Sequence, residues 1–107
     1  MKIAALQMVS TPRVEDNLAR AAELVAQAAA QGAELVVLPE YFCLMGRQDR
    51  DKLAVAEPAG HGPIQALLSG LARQHRLWLV GGTLPMALEG EPEHASNTLL
   101  VFGPDGT

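Results

Sequence analysis

Leu35-Val36-Val37-Leu38-Pro39-Glu40-Tyr41-Phe42 is the stretch that decides the fold. Four large apolar residues in succession, two of them β-branched, predict a strand buried on both faces. Pro39 ends it, because proline has no N–H to donate to a sheet ladder. The next residue is a carboxylate, Glu40, followed by two aromatics. In open α/β sheets, ligands gather beyond the carboxyl ends of the strands. A lone glutamate there is ordinarily a solvated loop residue. Here Tyr41 and Phe42 are placed to wall Glu40 from water, which would raise its pKa and suit it to act as a base near neutrality.

Working outward, Ile3-Ala4-Ala5-Leu6-Gln7-Met8 reads as an interior strand. Thr11 before Pro12 has the chemistry of an N-cap and first helical position, with Asp16 or Asn17 as alternative caps. Val14, Leu18, Ala21, Ala22, Val25, Ala28 and Ala29 recur at helical spacing, and Gly32 suits the left-handed position after the last turn. The charged run at 47–52 predicts a surface loop or a short exposed helix. Gly60-His61-Gly62-Pro63 breaks the chain and opens a second helix, with Ile64, Leu67, Leu68, Leu71 and Ala72 on one face. Leu77-Trp78-Leu79-Val80 predicts a third strand, 85–96 a long polar connection, and 97–102 a fourth strand. The order β-α-β-α-β-β argues an α/β layered fold, a sheet covered by helices. Gly103-Pro104-Asp105-Gly106 is turn chemistry that ordinarily leads into an antiparallel strand, so the sequence reads as the front part of a larger domain.

Composition excludes several classes of function. The 107 residues suit one domain, and 49% hydrophobic against 19% charged residues indicates a globular chain. A net charge of −4 without a Lys/Arg cluster argues against nucleic acid as a partner. No stretch approaches the ~18 apolar residues of a membrane span. The start lacks the core and cleavage site of a secretory signal, and the single cysteine excludes an intrachain disulfide. Together these features predict a cytoplasmic protein.

Rival chemistries are weaker. Cys43 paired with His61 would be a nucleophilic arrangement, but no signature supports it, and a small buried side chain beside Phe42 and Leu44 is the plainer role. His61, His75 and His94 are too scattered for a metal site, and no cofactor motif is present. Gly81-Gly82-Thr83 lacks the pattern of a phosphate cradle and suits close backbone packing. Nothing separates Glu34 or Glu57 from ordinary surface acids.

These residues, taken in order, resemble the nitrilase (carbon–nitrogen hydrolase) superfamily. The resemblance is carried by the opening Ile3-Ala4-Ala5-Leu6-Gln7-Met8, Asn17-Leu18, 32–40, Gly62-Pro63, Gly81-Gly82-Thr83, Asn97-Thr98-Leu99 and the closing turn. Within the superfamily it is most similar to the Nit-type amidases. It implies an α-β-β-α sandwich of which residues 1–107 form an N-terminal, partial domain. It also implies hydrolysis of a small-molecule amide by a Cys–Glu–Lys triad, and a homo-oligomer. The family's glutamate after Leu-Pro corresponds to Glu40, as general base; its lysine and cysteine lie beyond residue 107, and neither Cys43 nor Lys52 matches a family motif. The resemblance gives Asn97 a part in ordering the sheet near the site, where the residue alone reads as a polar strand entry. The isolated chain is therefore expected to be inactive. The alternative is a non-catalytic α/β module that binds at the strand-end cleft or the open sheet edge.

Overall fold

A computed structural model describes residues 1–44 and 51–107. Its elements in chain order are β1 (Ile3–Ala5), α1 (Val14–Ala30), β2 (Leu35–Val37), α2 (Asp51–Val55), α3 (Pro63–His75), β3 (Trp78–Val80), β4 (Leu84–Leu88), β5 (Glu91–Thr98) and β6 (Val101–Phe102). Four strands form one sheet in the order β1-β2-β3-β6. β1, β2 and β3 are parallel, as their helical crossovers require, and β6 returns antiparallel to β3. β4 and β5 form a separate hairpin. No helix among the described residues is long and apolar enough to cross a membrane.

The helices follow the apolar periodicity. α1 buries Ala21, Val25 and Ala28, and α3 buries Ile64, Leu68, Leu71 and Ala72. They share one core with Val36, Leu38 and Leu79, and Ala4 and Phe102 pack at its margin. Ala4, Val36, Leu79 and Phe102 are partners in register, so they form the row of the sheet that meets the helices. Gly32 ends α1 with φ +90°, in the conformation expected of it.

Several local expectations are corrected. β2 is covered on one face only: Val36 is buried, while Leu35 and Val37 are half-buried. The opposite face of the sheet carries Ile3, Trp78 and Val101, which are 61%, 46% and 51% exposed. α1 starts at Val14 with Arg13 at its N-cap; Thr11 lies outside the helix, where its hydroxyl accepts a hydrogen bond from the Arg13 N–H. The stretch 85–96 is a hairpin rather than a loop, turning at Gly90 with φ +76°. Pro85 and the polar residues Glu89, Glu91, Glu93 and His94 hide the strand pattern in the sequence. The predicted fourth strand is divided, since Asn97 and Thr98 end β5 and β6 holds only Val101 and Phe102. The charged run falls partly on α2, and the remainder, at 47–50, lies outside the described residues, as does the Lys52 side chain.

Glu57 is the largest departure, because it is buried to 5% exposure rather than lying on the surface. Its carboxylate accepts from the Ile64 N–H at 2.7 Å, the Gln65 N–H at 3.1 Å and the Gln65 side-chain amide at 3.0 Å. It therefore satisfies free amides of the first turn of α3 and sits at the positive end of the helix dipole. Its own backbone accepts from Ala87 and donates to Pro85, which ties α3 to β4. Gly62 makes room for this, since a Cβ there would fall 2.1 Å from the Glu57 carboxyl carbon. Glu57→Ala should lower stability by roughly 1–3 kcal/mol, as expected when buried donors lose their acceptor. Glu57→Gln should cost less, because it retains an acceptor oxygen; the midpoints of thermal unfolding compare the two.

Candidate active site

The site is built where β2 and β3 end side by side. The parallel ladder runs through Val37 and Val80 and reappears as an isolated bridge between Glu40 and Thr83. Between these points Leu38 donates its N–H to the Val80 carbonyl. Gly82 passes so close to Pro39 that a Cβ at position 82 would lie 2.1 Å from the Pro39 carbonyl oxygen. Its φ of +62° is also in the left-handed region, which glycine adopts without steric cost. The close-packing role expected of Gly81-Gly82-Thr83 is thus found at Gly82.

Beyond Glu40 the backbone turns sharply. Tyr41 has φ +48°, uncommon for a residue with a side chain. Several bonds hold the turn in place. The Tyr41 N–H donates to Thr83 Oγ1 at 3.0 Å, the Ser10 hydroxyl donates to the Phe42 carbonyl at 2.7 Å, and the Asn17 amide donates to the Cys43 carbonyl at 2.8 Å. Asn17 is buried in the first turn of α1, and its side chain also bonds the Thr11 backbone through both its nitrogen and its oxygen. It is a connector between two loops rather than the N-cap of α1.

The Glu40 carboxylate is exposed, and one of its oxygens, Oε1, accepts from the Asn97 side-chain amide at 3.1 Å. The wall expected of the two aromatics is not formed. Phe42 turns into the core with 0% exposure, and Tyr41 is only half-buried. The turn after Glu40 produces this, by sending Phe42, Cys43 and Leu44 inward.

Cys43 is fully buried in the same core. Burial pushes its thiol up to about 11; the nearby Glu57 charge adds to this, while a backbone hydrogen bond opposes it. The Cys43 thiol is thus held in its unreactive, protonated form. His61 is exposed and donates its backbone N–H to Pro58, so the Cys43–His61 arrangement finds no support. No group of three or more His, Cys, Asp or Glu side chains among the described residues is arranged to hold a metal ion. Sequence reasoning names Thr83, Asn17 and Asn97 but not the contacts by which they shape this site, to the Tyr41 N–H, the Cys43 carbonyl and the Glu40 carboxylate. The polar residue directly after Gly81-Gly82 was the available signal for Thr83.

Comparison with known proteins bears on this geometry. The family model described as carbon-nitrogen hydrolase matches residues 2–107. The chain belongs to the carbon–nitrogen hydrolase family. It is 37% identical over 103 residues to a deaminated glutathione amidase from Synechocystis sp., covering 96% of this chain and 37% of that protein. It is 39% identical over 107 residues to an omega-amidase from Danio rerio, covering 99% of this chain and 36% of the relative. The crystal structure of the C. elegans NitFhit protein superposes with a TM-score of 0.86 at 30% identity, over 98% of this chain and 25% of that one. The 107 residues therefore span little more than a third of the length of the curated relatives they match. The fold expected from the family resemblance is the fold observed, with helices on one face of a mixed sheet.

Two outcomes follow from the site's architecture. Gly82→Ala should destabilise the fold by at least ~1 kcal/mol, through the clash with Pro39 and the positive φ, and so lower the melting temperature by several degrees. Raising a thiol pKa from 9.0 to about 11 cuts the thiolate fraction at pH 8 about a hundredfold. Alkylation of Cys43 by iodoacetamide at pH 8, followed by peptide mapping, should accordingly be at least tenfold slower in the native protein than in urea.

Proposed function

We propose that the protein carrying these residues is an amidase that cleaves a small, non-peptide amide, with Glu40 as its general base. The supporting observation is the carboxylate at the carboxyl end of β2: it is exposed and is held by Asn97 in a chain that matches the family throughout. The names of the relatives, a deaminated glutathione amidase and an omega-amidase, support an amide as the substrate class.

The chemistry follows from the Cys–Glu–Lys arrangement that the resemblance implies. Glu40 takes the proton of a cysteine thiol, and the resulting thiolate attacks the amide carbonyl. A lysine ammonium stabilises the tetrahedral oxyanion. As the C–N bond breaks, Glu40 returns the proton to the leaving nitrogen, and ammonia departs from a thioester. Glu40 then takes a proton from water, hydroxide attacks the thioester carbonyl, and the acid leaves as the thiol regains its proton. Residues 1–107 supply Glu40 as a partial carbon–nitrogen hydrolase domain; the cysteine and lysine would come from beyond residue 107. These residues are expected to be silent alone. The working protein is a cytoplasmic homo-oligomer on this reading.

One observation favours a second reading. Among the described residues β6 lies at one edge of the four-stranded sheet, an edge at which a non-catalytic module could accept a strand from another chain. Glu40→Gln, placed in the complete reading frame that carries these residues, discriminates the two. For an amidase, ammonia release from small amides should fall by at least a hundredfold with the circular dichroism spectrum unchanged. Wild-type turnover by that variant would discard the role given to Glu40. Turnover by residues 1–107 alone, abolished by Cys43→Ala, would transfer the chemistry to Cys43.

A further inference from the structure

The hydrogen bond between Asn97 and Glu40 joins residues 57 positions apart in the sequence, Glu40 three residues beyond β2 and Asn97 on the β4–β5 hairpin. Asn97 is carried at the end of β5, where it pairs with Pro85 of β4. The hairpin is anchored to the body of the domain through Glu57, whose backbone bonds Pro85 and Ala87 and whose carboxylate holds the first turn of α3. A run of backbone bonds thus fixes where the Asn97 backbone sits, while the Gly82–Pro39 approach and the Thr83–Tyr41 bond fix where the Glu40 backbone sits. From these two independently held backbones the side chains meet at 3.1 Å. No described residue bonds the second carboxylate oxygen, Oε2.

From this geometry we infer that Asn97 is a positioning residue, whose amide holds Glu40 by Oε1 and so presents Oε2 as the oxygen that receives and returns the proton. The inference rests on the base role proposed for Glu40. A glutamate side chain has three rotatable bonds, and at an exposed position only a fixed partner selects one rotamer. Asn97 suits this task better than a cation would. Its N–H donates to a carboxylate but leaves the proton for Glu40 to carry, whereas a lysine or arginine would pair with the charge directly. Asn97 bonds the carboxylate of the base and so acts through Glu40.

The test uses the complete reading frame, a panel of small amides, and the variants Asn97→Ala and Asn97→Asp. The first deletes the donor. The second keeps the size of the side chain while turning an acceptor toward Oε1. Both should lower kcat at least tenfold at pH 7.5 with KM within twofold of wild type, because orientation of a base is expressed in turnover rather than in substrate binding. N97D should be the more impaired, since it sets two carboxylates against each other. In a Glu40→Asp background, where the carboxylate is drawn back by one methylene, replacing Asn97 should cost less than threefold more. A merely structural role for Asn97 would impose its full loss on that background too. Wild-type kcat in both variants, or an undiminished loss in the Glu40→Asp background, overturns the inference. Should N97D lower the melting temperature by more than a few degrees, Asn97→Ser takes its place with the same expectations. Failure of the underlying reading is separate: it is signalled by an active Glu40→Gln, whatever the Asn97 variants do.

Discussion

The close approach of Gly82 to the Pro39 carbonyl is the constraint on which the rest of this structure depends. It lets the parallel pairing of β2 and β3 continue past a proline that cannot donate to the ladder, so that Glu40 ends opposite Thr83. Any side chain at position 82 would push the two strand ends apart. The turn at Tyr41 would then lose the Thr83 hydroxyl that accepts its N–H. The core side of the turn depends on the same geometry, because Phe42, Cys43 and Leu44 fill the space beneath it.

The remaining polar groups serve to hold loops in place. Asn17 ties the segment before α1 to the turn after Glu40, and Glu57 with Gln65 ties the entry of α3 to β4. Each is buried, and such a group costs free energy unless its partners are complete. They are complete here: no buried side-chain nitrogen or oxygen among the described residues lacks a hydrogen bond. The scaffold around the candidate site is therefore specified by polar contacts at its loops and by apolar packing at its centre. A surface carboxylate can then be held in a defined place without being buried.

What could be read from the sequence divides along the same line. The helices are legible because their apolar residues repeat at a fixed period and the parallel strands because they are short apolar runs, and Gly32, Gly62 and Gly82 punctuate the chain where the backbone must turn or come close. The β4–β5 hairpin is not legible, since its polar residues and Pro85 resemble a loop. Glu57 is equally opaque: nothing beside it shows that its carboxylate will meet helix amides seven and eight positions later. Glu40 is legible as a carboxylate at a strand end. Its surroundings are not, because Asn97 reaches it only through the tertiary fold, and the aromatic residues next to it in sequence turn away from it.

The uncovered face of the β1-β2-β3-β6 sheet has a spectroscopic consequence. Trp78 is the only tryptophan in the 107 residues, and it lies on that face, nearly half exposed beside Leu35 in the sheet register. An indole facing water emits further to the red than one packed against aliphatic side chains. Any layer laid across the sheet would surround this one ring, while changes at the helix-covered face would leave it in place. The sequence thus carries an intrinsic fluorophore on the face of the sheet opposite the helices.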